Sequence, residues 1–591
     1  KNIAIGDSAL TLLNAGAYAL NVAVGMESGK AMTTGTSNTL IGTFAGAAVT
    51  TGVYNVAIGR NALAAEDAHG YNTAIGTFAL TTQNAGTDAL NTAVGYSAGT
   101  AVTTGINNTM IGANAGDSLT TGGYHTAVGY LALSTEDEGG KATAVGWKAL
   151  TAQNTNTDTF NVAVGYQAGS NVTTGAYNVL LGGNAGGGLV NGGYSTAVGY
   201  GALGTEDAGS FNTAMGVNAL ALLNAGADGY NTAIGYTAGA AMTTGVNNTL
   251  MGSLAGDALT TGVNNTAIGL GALGTEDTGG QNVAVGVNAL ATLNFAGNGL
   301  NTAVGYAAGA AITTGKENTL LGGNAGDSLT TGSENVAIGY NALTTANGSE
   351  GRNVAIGFGT LAAQDGDGDA YNVAIGFEAG TAITSGVQNI LIGGLAGDRL
   401  TSGSENVAIG HGALGLENAH GRNVAIGQQT LQLQDAGAHA YNVGVGYQAG
   451  AAVTTGSQNT IIGGFAGDAL TTATSSVVIG YEALSTEDTM GTAVAIGYRA
   501  LKTQNSGSAA YNVAVGYDAG KAVTTGLNNT IIGGLAGKSV TTGDRNVALG
   551  YDALGTEDTG GRNIAIGYQA LKTANYDGNA YNVALGYEAG V

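Results

Sequence analysis

A chain of 591 residues with 107 Gly, no Pro and no Cys is neither collagen, which needs a strict three-residue period, nor a disulfide-stapled domain; regular β-branched positions set it apart from disordered low-complexity sequence. A formal net charge of −23, with only 9% of residues charged, repels a nucleic-acid backbone, so nucleic acid is not an expected partner. No run of about 18 apolar residues occurs and the start lacks a charged segment followed by an apolar one, so no membrane span is expected within these residues.

The chain enters a repeat at once. Asn2-Ile-Ala-Ile-Gly6 is the first form of a phrase, Asn-[Thr/Val/Ile]-x-[Ile/Val/Leu/Met]-Gly, that returns about 34 times until Asn582. A short fixed period with one β-like phrase per unit is the signature of a solenoid, in which each unit buries its apolar face only against its neighbours. The fold expected is therefore all-β, a parallel β-solenoid (β-roll) of about 34 coils, forming one continuous domain over residues 1–591. The start at Lys1 without Met and the stop at Val591 partway through a unit read as a fragment or mature portion, with targeting, capping and anchoring parts outside it. The absence of Pro suits strands paired on both edges.

Phrase starts at Asn212, Asn231, Asn248, Asn265 and Asn282 advance by 19, 17, 17 and 17, giving four coils to a super-repeat of 70. The first coil ends in a large residue, as at Phe160, Tyr230, Leu300, Tyr371 and Tyr441. The second carries Gly235-Tyr-Thr-Ala-Gly239 and Thr243-Thr-Gly245, the third Asn248-Thr-Leu-Met-Gly252 and Ala255-Gly-Asp257, and the fourth Gly274-Thr-Glu-Asp277. One cycle departs: Asn335 and Asn353 are 18 apart, and Ala346-Asn347-Gly348-Ser349 replaces the acidic phrase. The extra residue is expected in a bulge or longer corner.

Strand alternation places Thr232 and Ile234 on one face and Ala233 on the other. The β-branched face is expected to point into the coil. The Ala-rich face, with Leu40, Met110, Leu180, Leu250, Leu320 or Ile531 in the third coil, is then outward and available to pack on another chain, or is an ordinary exposed sheet. A segment eleven residues after each phrase start (Val102, Val172 and Met242; Leu119 and Leu259) is expected to form the opposing wall. In the fourth coil this register puts Glu276 inside; a buried unpaired carboxylate is costly, so that coil is expected to turn differently, with Leu273 filling the core. The Asn that opens most phrases forms either a ladder of stacked amides or local Asx-turns. Residues 500–505 are compatible with a helical turn. A stack of this many coils at ~4.8 Å spacing is roughly 160 Å long, and one super-repeat advances ~19 Å.

The phrases Asn55-Val-Ala-Ile-Gly59 and Asn161-Val-Ala-Val-Gly-Tyr-Gln-Ala-Gly169 resemble the head repeats of trimeric autotransporter adhesins, and Thr524-Thr-Gly-Leu-Asn-Asn-Thr-Ile-Ile-Gly533 is similar to repeats of tail-fibre-type proteins of phages and bacteria. The resemblance covers essentially the whole chain. The adhesin resemblance implies a left-handed parallel β-roll with three chains side by side, one sheet of each facing the threefold axis. The coils here are longer than those head coils.

Chemistry-bearing residues are sparse. His69, His125, His411, His420 and His439 are scattered without a recurrent ligand spacing. Gly533-Gly-Leu-Ala-Gly-Lys-Ser539 is one residue short of a phosphate loop and is the local form of a corner. The pairs Glu66-Asp67, Glu136-Asp137, Glu206-Asp207, Glu276-Asp277, Glu487-Asp488 and Glu557-Asp558 are expected as solvated corner charges, with acid–base or Ca²⁺ roles as the alternative. Asp365-Gly-Asp367-Gly-Asp369 lacks the following Gly and Glu of a calcium loop. Tyr371, Tyr441, Tyr511 and Tyr581 either cover the longer corner or form a sugar-stacking stripe. Asn107-Asn-Thr109 matches a glycosylation acceptor only as a by-product of the repeat.

No catalytic, cofactor-binding or metal-binding residue is expected, and no cofactor. The expectation is a structural, non-catalytic extracellular or cell-surface fibre that mediates adhesion or presents a binding tip, working as a homo-oligomer, a trimer or a filament. A cell-surface or matrix glycan is the partner to consider. The alternatives are a phage tail-fibre shaft on a virion and a polysaccharide-binding or polysaccharide-processing spike.

Overall fold

The computed structural model describes residues 1–591 except Ala17, Asn347 and Met490, so the departing phrase at 346–349 lies partly outside the described residues. The chain divides into two compact units, Lys1–Gly299 and Leu300–Val591. The first holds seventeen three-residue strands, β1 (Ile3–Ile5) to β17 (Val283–Val285), and the second seventeen more, β18 (Thr302–Val304) to β34 (Val583–Leu585). Within each unit every strand pairs in parallel with its sequence neighbours. In the first unit, β14 (Thr232–Ile234) sets Thr232, Ala233 and Ile234 against Thr249, Leu250 and Met251 of β15 (Thr249–Met251). The protein is an all-β parallel β-solenoid of about 34 turns, spaced about 17 residues apart, with no helix among the described residues. Residues 500–505 form part of a turn and a loop.

The strand faces are the reverse of the expectation. Ala233 is fully buried, whereas Thr232 and Ile234 are half-buried on the outside. The same holds at Leu40, Met110, Leu180, Leu250, Leu320 and Ile531, all buried. The reason is room. A coil this short encloses a narrow interior, and its wall takes Ala at the strand centre and again at the following corner, as at Ala233 and Ala238. Branched residues mostly hold the two outer positions, where a pleated surface suits them, and take the central one at Ile461, Val478 and Ile531. An Ala-rich outer face free to pack on another chain therefore does not exist.

Large and small residues interlock between layers. Leu250 and Leu220 project into the space left by Gly239: a Cβ there would lie 2.7 Å from Leu250 Cδ1 and 2.9 Å from Leu220 Cδ2, at a φ of +59°. Gly235, at φ +147°, sits so close to the next coil that a Cβ would lie 2.2 Å from the Gly252 carbonyl oxygen. Both positions need glycine on two counts, backbone angle and space. Bulkier residues also adopt positive φ, as at Leu220 (50°), Tyr230 (48°) and Thr237 (51°). Such residues cost about 1 kcal/mol each and persist where the surroundings over-determine them.

The opposing wall is present: Val102, Val172, Met242, Leu119 and Leu259 are buried. It is built from turns, not a second strand, although backbone bonds still run from coil to coil, with Gly239 N–H donating to Ala255 O (3.0 Å), Ala241 to Asp257 (3.1 Å) and Thr243 to Thr260 (2.8 Å). The fourth coil does not turn aside to keep its carboxylate out, because Leu273 and Glu276 are both fully buried. The added residue of the departing cycle is absorbed at a corner: Asn335 Nδ2 reaches the carbonyl fifteen residues on, at Glu350, instead of fourteen. The register of β20 (Val336–Ile338) on β21 (Val354–Ile356) is unchanged.

Candidate functional site

The polar groups of highest consequence lie inside the coils. Asn231 Nδ2 donates to Gly245 O of the same coil (2.8 Å), and its Oδ1 accepts the backbone N–H of Asn248 in the next (3.0 Å). The first bond closes a coil and the second joins it to its neighbour. Such pairs recur through both units, for example at Asn38 and Asn529. The ladder is thus mainly amide to main chain, with amide-to-amide contacts as at Asn38–Asn21 (3.2 Å). Where His125 replaces Asn it reproduces both bonds: Nε2 lies 2.6 Å from Gly139 O and Nδ1 accepts the Ala142 N–H at 3.3 Å. That pairing fixes the proton on Nε2, and burial lowers the pKa of the ring.

In the acidic pairs the aspartates are half-buried or exposed at the corner, but the glutamates are not solvated. Glu66, Glu136, Glu206, Glu276, Glu487 and Glu557 are fully buried, as are Glu350 and Glu417 of the two cycles that lack the acidic pair. Glu206, Glu276 and Glu557 each accept a backbone N–H three residues on, from Gly209 (2.8 Å), Gly279 (2.7 Å) and Gly560 (2.7 Å). Glu136 is satisfied on both oxygens, by Gly139 and by Gln153 Nε2 at 2.9 Å each. Glu66, Glu206, Glu417 and Glu557 keep one buried oxygen without a partner. Burial raises the carboxyl pKa of Glu66, Glu206, Glu276 and Glu350, and pushes that of Glu417 up to about 7. The carboxyls of Glu136, Glu206, Glu276, Glu487 and Glu557 lie inside the coils, away from molecules in solvent. Glu417 was legible from Gly415-Leu-Glu-Asn418 aligned with Gly204-Thr-Glu-Asp207; Glu350 was hidden by the inserted residue.

Beside two of these glutamates the corner glycine is replaced by histidine, at His69 and His420. The ligating atoms of Glu66, Asp67 and His69, and of Glu417, His420 and Asp435, lie within 4.8 Å of one another. His411 and His439 are exposed, and His439 stands edge-on to Tyr441 at 6.2 Å. Asp365, Asp367 and Asp369 are exposed; Asp369 is engaged by Arg352 at 2.5 Å, and the run forms no ligating cluster among the described residues.

Outside, rings stack along the coil direction. Trp147 lies between Tyr130 (6.4 Å) and Tyr166 (4.8 Å), and Phe160, Tyr177, Tyr194, Phe211 and Tyr230 stack in sequence at 4.8–5.4 Å. In the second unit Arg352, Arg422 and Arg562 lie over Tyr371, Tyr441 and Tyr581, 5.2–5.6 Å from the ring centres, and bond to their hydroxyls. A face covered by a guanidinium or another ring is closed to a sugar on that side. Little in the sequence marks these stacks, because the partners belong to successive coils and are far apart along the chain.

Fold and interior together define a β-solenoid repeat protein whose polar residues are largely spent on holding coil to coil. No protein-family model matches the chain, and no curated protein matches it.

Proposed function

We propose that this chain is the structural, non-catalytic body of an extracellular or cell-surface fibre, which holds a binding function at a distance and self-associates in doing so. The observation that carries this reading is the internal ladder. In each unit the Asn side chains tie one coil to the next with almost no variation in register, a use of sequence that favours extension and stiffness over a reaction centre. Self-association would run through the outer strand face and the corner that follows it, where Ile111 (39% exposed) and Met251 (39%) on strands and Tyr236 (58%) in the adjoining turn leave apolar surface in the open. The contact surface thus moves from the Ala row to the branched row.

Light scattering with sedimentation tests this. A multiple of the chain mass with a high frictional ratio is the expected result; a compact monomer at all concentrations overturns it. Retention of fluorescent beads carrying the protein on cells or glycan arrays then separates an adhesive body from a passive shaft.

A further inference from the structure

We propose that the corners formed by Glu66, Asp67 and His69 and by Glu417, His420 and Asp435 each bind one divalent transition-metal ion of the zinc type.

The argument starts from what the corner needs without a histidine. In other cycles Gly209, Gly279 and Gly560 occupy this slot and donate their N–H to the buried glutamate. His69 and His420 make the same bond, to Glu66 Oε1 and Glu417 Oε1 at 3.1 Å each. The backbone duty is thus met by glycine, and the imidazole is an addition. It is not a free one, because a Cβ on Gly209 or Gly279 would meet the glutamate carboxyl carbon at 2.6 Å.

The ring nitrogen that faces the carboxylate has no other use. Nδ1 of His69 and of His420 is buried without a hydrogen-bond partner, and so is the Oε2 of Glu66 and of Glu417. Nδ1 stands 3.7 Å from Glu66 Oε1 and 3.6 Å from Glu417 Oε1. That is too long for a hydrogen bond. It is the separation of two ligands on one ion, since metal–ligand bonds of ~2.1 Å at a tetrahedral angle put the ligand atoms ~3.4 Å apart.

The corner backbone is held in place from behind. The carbonyl oxygens of His69 and His420 accept Asn55 Nδ2 (3.1 Å) and Asn406 Nδ2 (3.2 Å), so the ladder itself anchors each backbone. The third ligand comes from different coils. At the first corner it is Asp67, with Asn84 at the equivalent place in the next coil; at the second, Asn418 stands in the Asp67 position and Asp435 in the next coil supplies the carboxylate. One imidazole with two carboxylates suits Zn²⁺ and its neighbours better than Ca²⁺ or Mg²⁺, which prefer all-oxygen sites.

The test is equilibrium dialysis of the chelator-stripped chain against Zn²⁺, with metal counted by atomic spectroscopy, and visible absorption of bound Co²⁺ as an independent readout. About two ions per chain are expected, falling to one in His69→Gly or His420→Gly and to none in the double variant. Glycine is the residue that other cycles carry there, so the variants keep the fold, which circular dichroism checks. No stoichiometric binding, or binding that persists in the double variant through surface carboxylates, overturns the proposal.

Discussion

Leu250 occupies the space that Gly239 leaves open: a Cβ on that glycine would stand 2.7 Å from Leu250 Cδ1. The two belong to adjacent coils, and the pairing is how a narrow interior admits a leucine. Gly239→Ala is therefore expected to destabilise the first unit by about 2 kcal/mol, as overpacking does, and the added Leu250→Ala to recover part of that loss. Thermal unfolding of the two single variants and the double variant checks the coupling; simple additivity would contradict it.

The orientation of the strands gives a second test. Ala233→Asp places a charge in a fully buried slot and is expected to cost about 3 kcal/mol or more. Ile234→Asp, on the half-buried outer face, is expected to cost about 1 kcal/mol. Equal losses in urea or heat would contradict the assignment of faces.

Asn161 donates to Gln153 Oε1 (2.9 Å) and Gly175 O (2.8 Å) and accepts from Asn178 N–H (2.8 Å). Asn161→Ala leaves buried partners unmade and is expected to cost about 2 kcal/mol. The sole tryptophan, Trp147, stacks on Tyr166 of the same coil as Asn161, so its fluorescence reports the local loss; an unchanged transition would show that the ladder bonds are dispensable.

The buried glutamates set a pH dependence. Their carboxyl pKa is raised in the folded chain above the ordinary value of 4.5, so the native state binds more protons than the unfolded state between that value and the raised one. Stability should then fall as pH rises through this window. A higher thermal midpoint at pH 5 than at pH 8, measured with chelator present, is expected. Glu206→Gln should raise stability at pH 8 by about 1 kcal/mol, by removing a buried charge with one unpartnered oxygen, and should flatten the profile.

His125 works in the opposite direction. Its pKa is lowered by burial, so its contribution is present above the ordinary value of 6.5 and lost as pH falls towards the folded value. His125→Asn restores the side chain used elsewhere in the ladder and is expected to leave stability unchanged at pH 8 while raising it at pH 5.5. Loss at both pH values would contradict the equivalence of imidazole and amide in this slot.

The sequence alone determined the coil. The regular spacing of Asn-led phrases, one to each coil, located the strands, and the absence of Pro and the Gly-closed corners agreed with continuous pairing. It could not decide which side of Thr232-Ala233-Ile234 faces inward, because both faces are apolar and a three-residue strand reads equally well either way. Only the closed coil decides that, since stacking turns the central residue of each strand, Ala233 here and Ile531 in a third coil, into the enclosed interior. The same closure decided the fate of Glu206 and Glu276. By local chemistry a carboxylate in a Gly-Thr-Glu-Asp corner belongs in water, but the coil axis runs beneath that corner, and the backbone N–H of Gly209 and of Gly279 partly offsets the cost of bringing it inside. The meeting of Glu417, His420 and Asp435 also lay beyond the sequence, because Asp435 belongs to the following coil and only stacking brings it alongside.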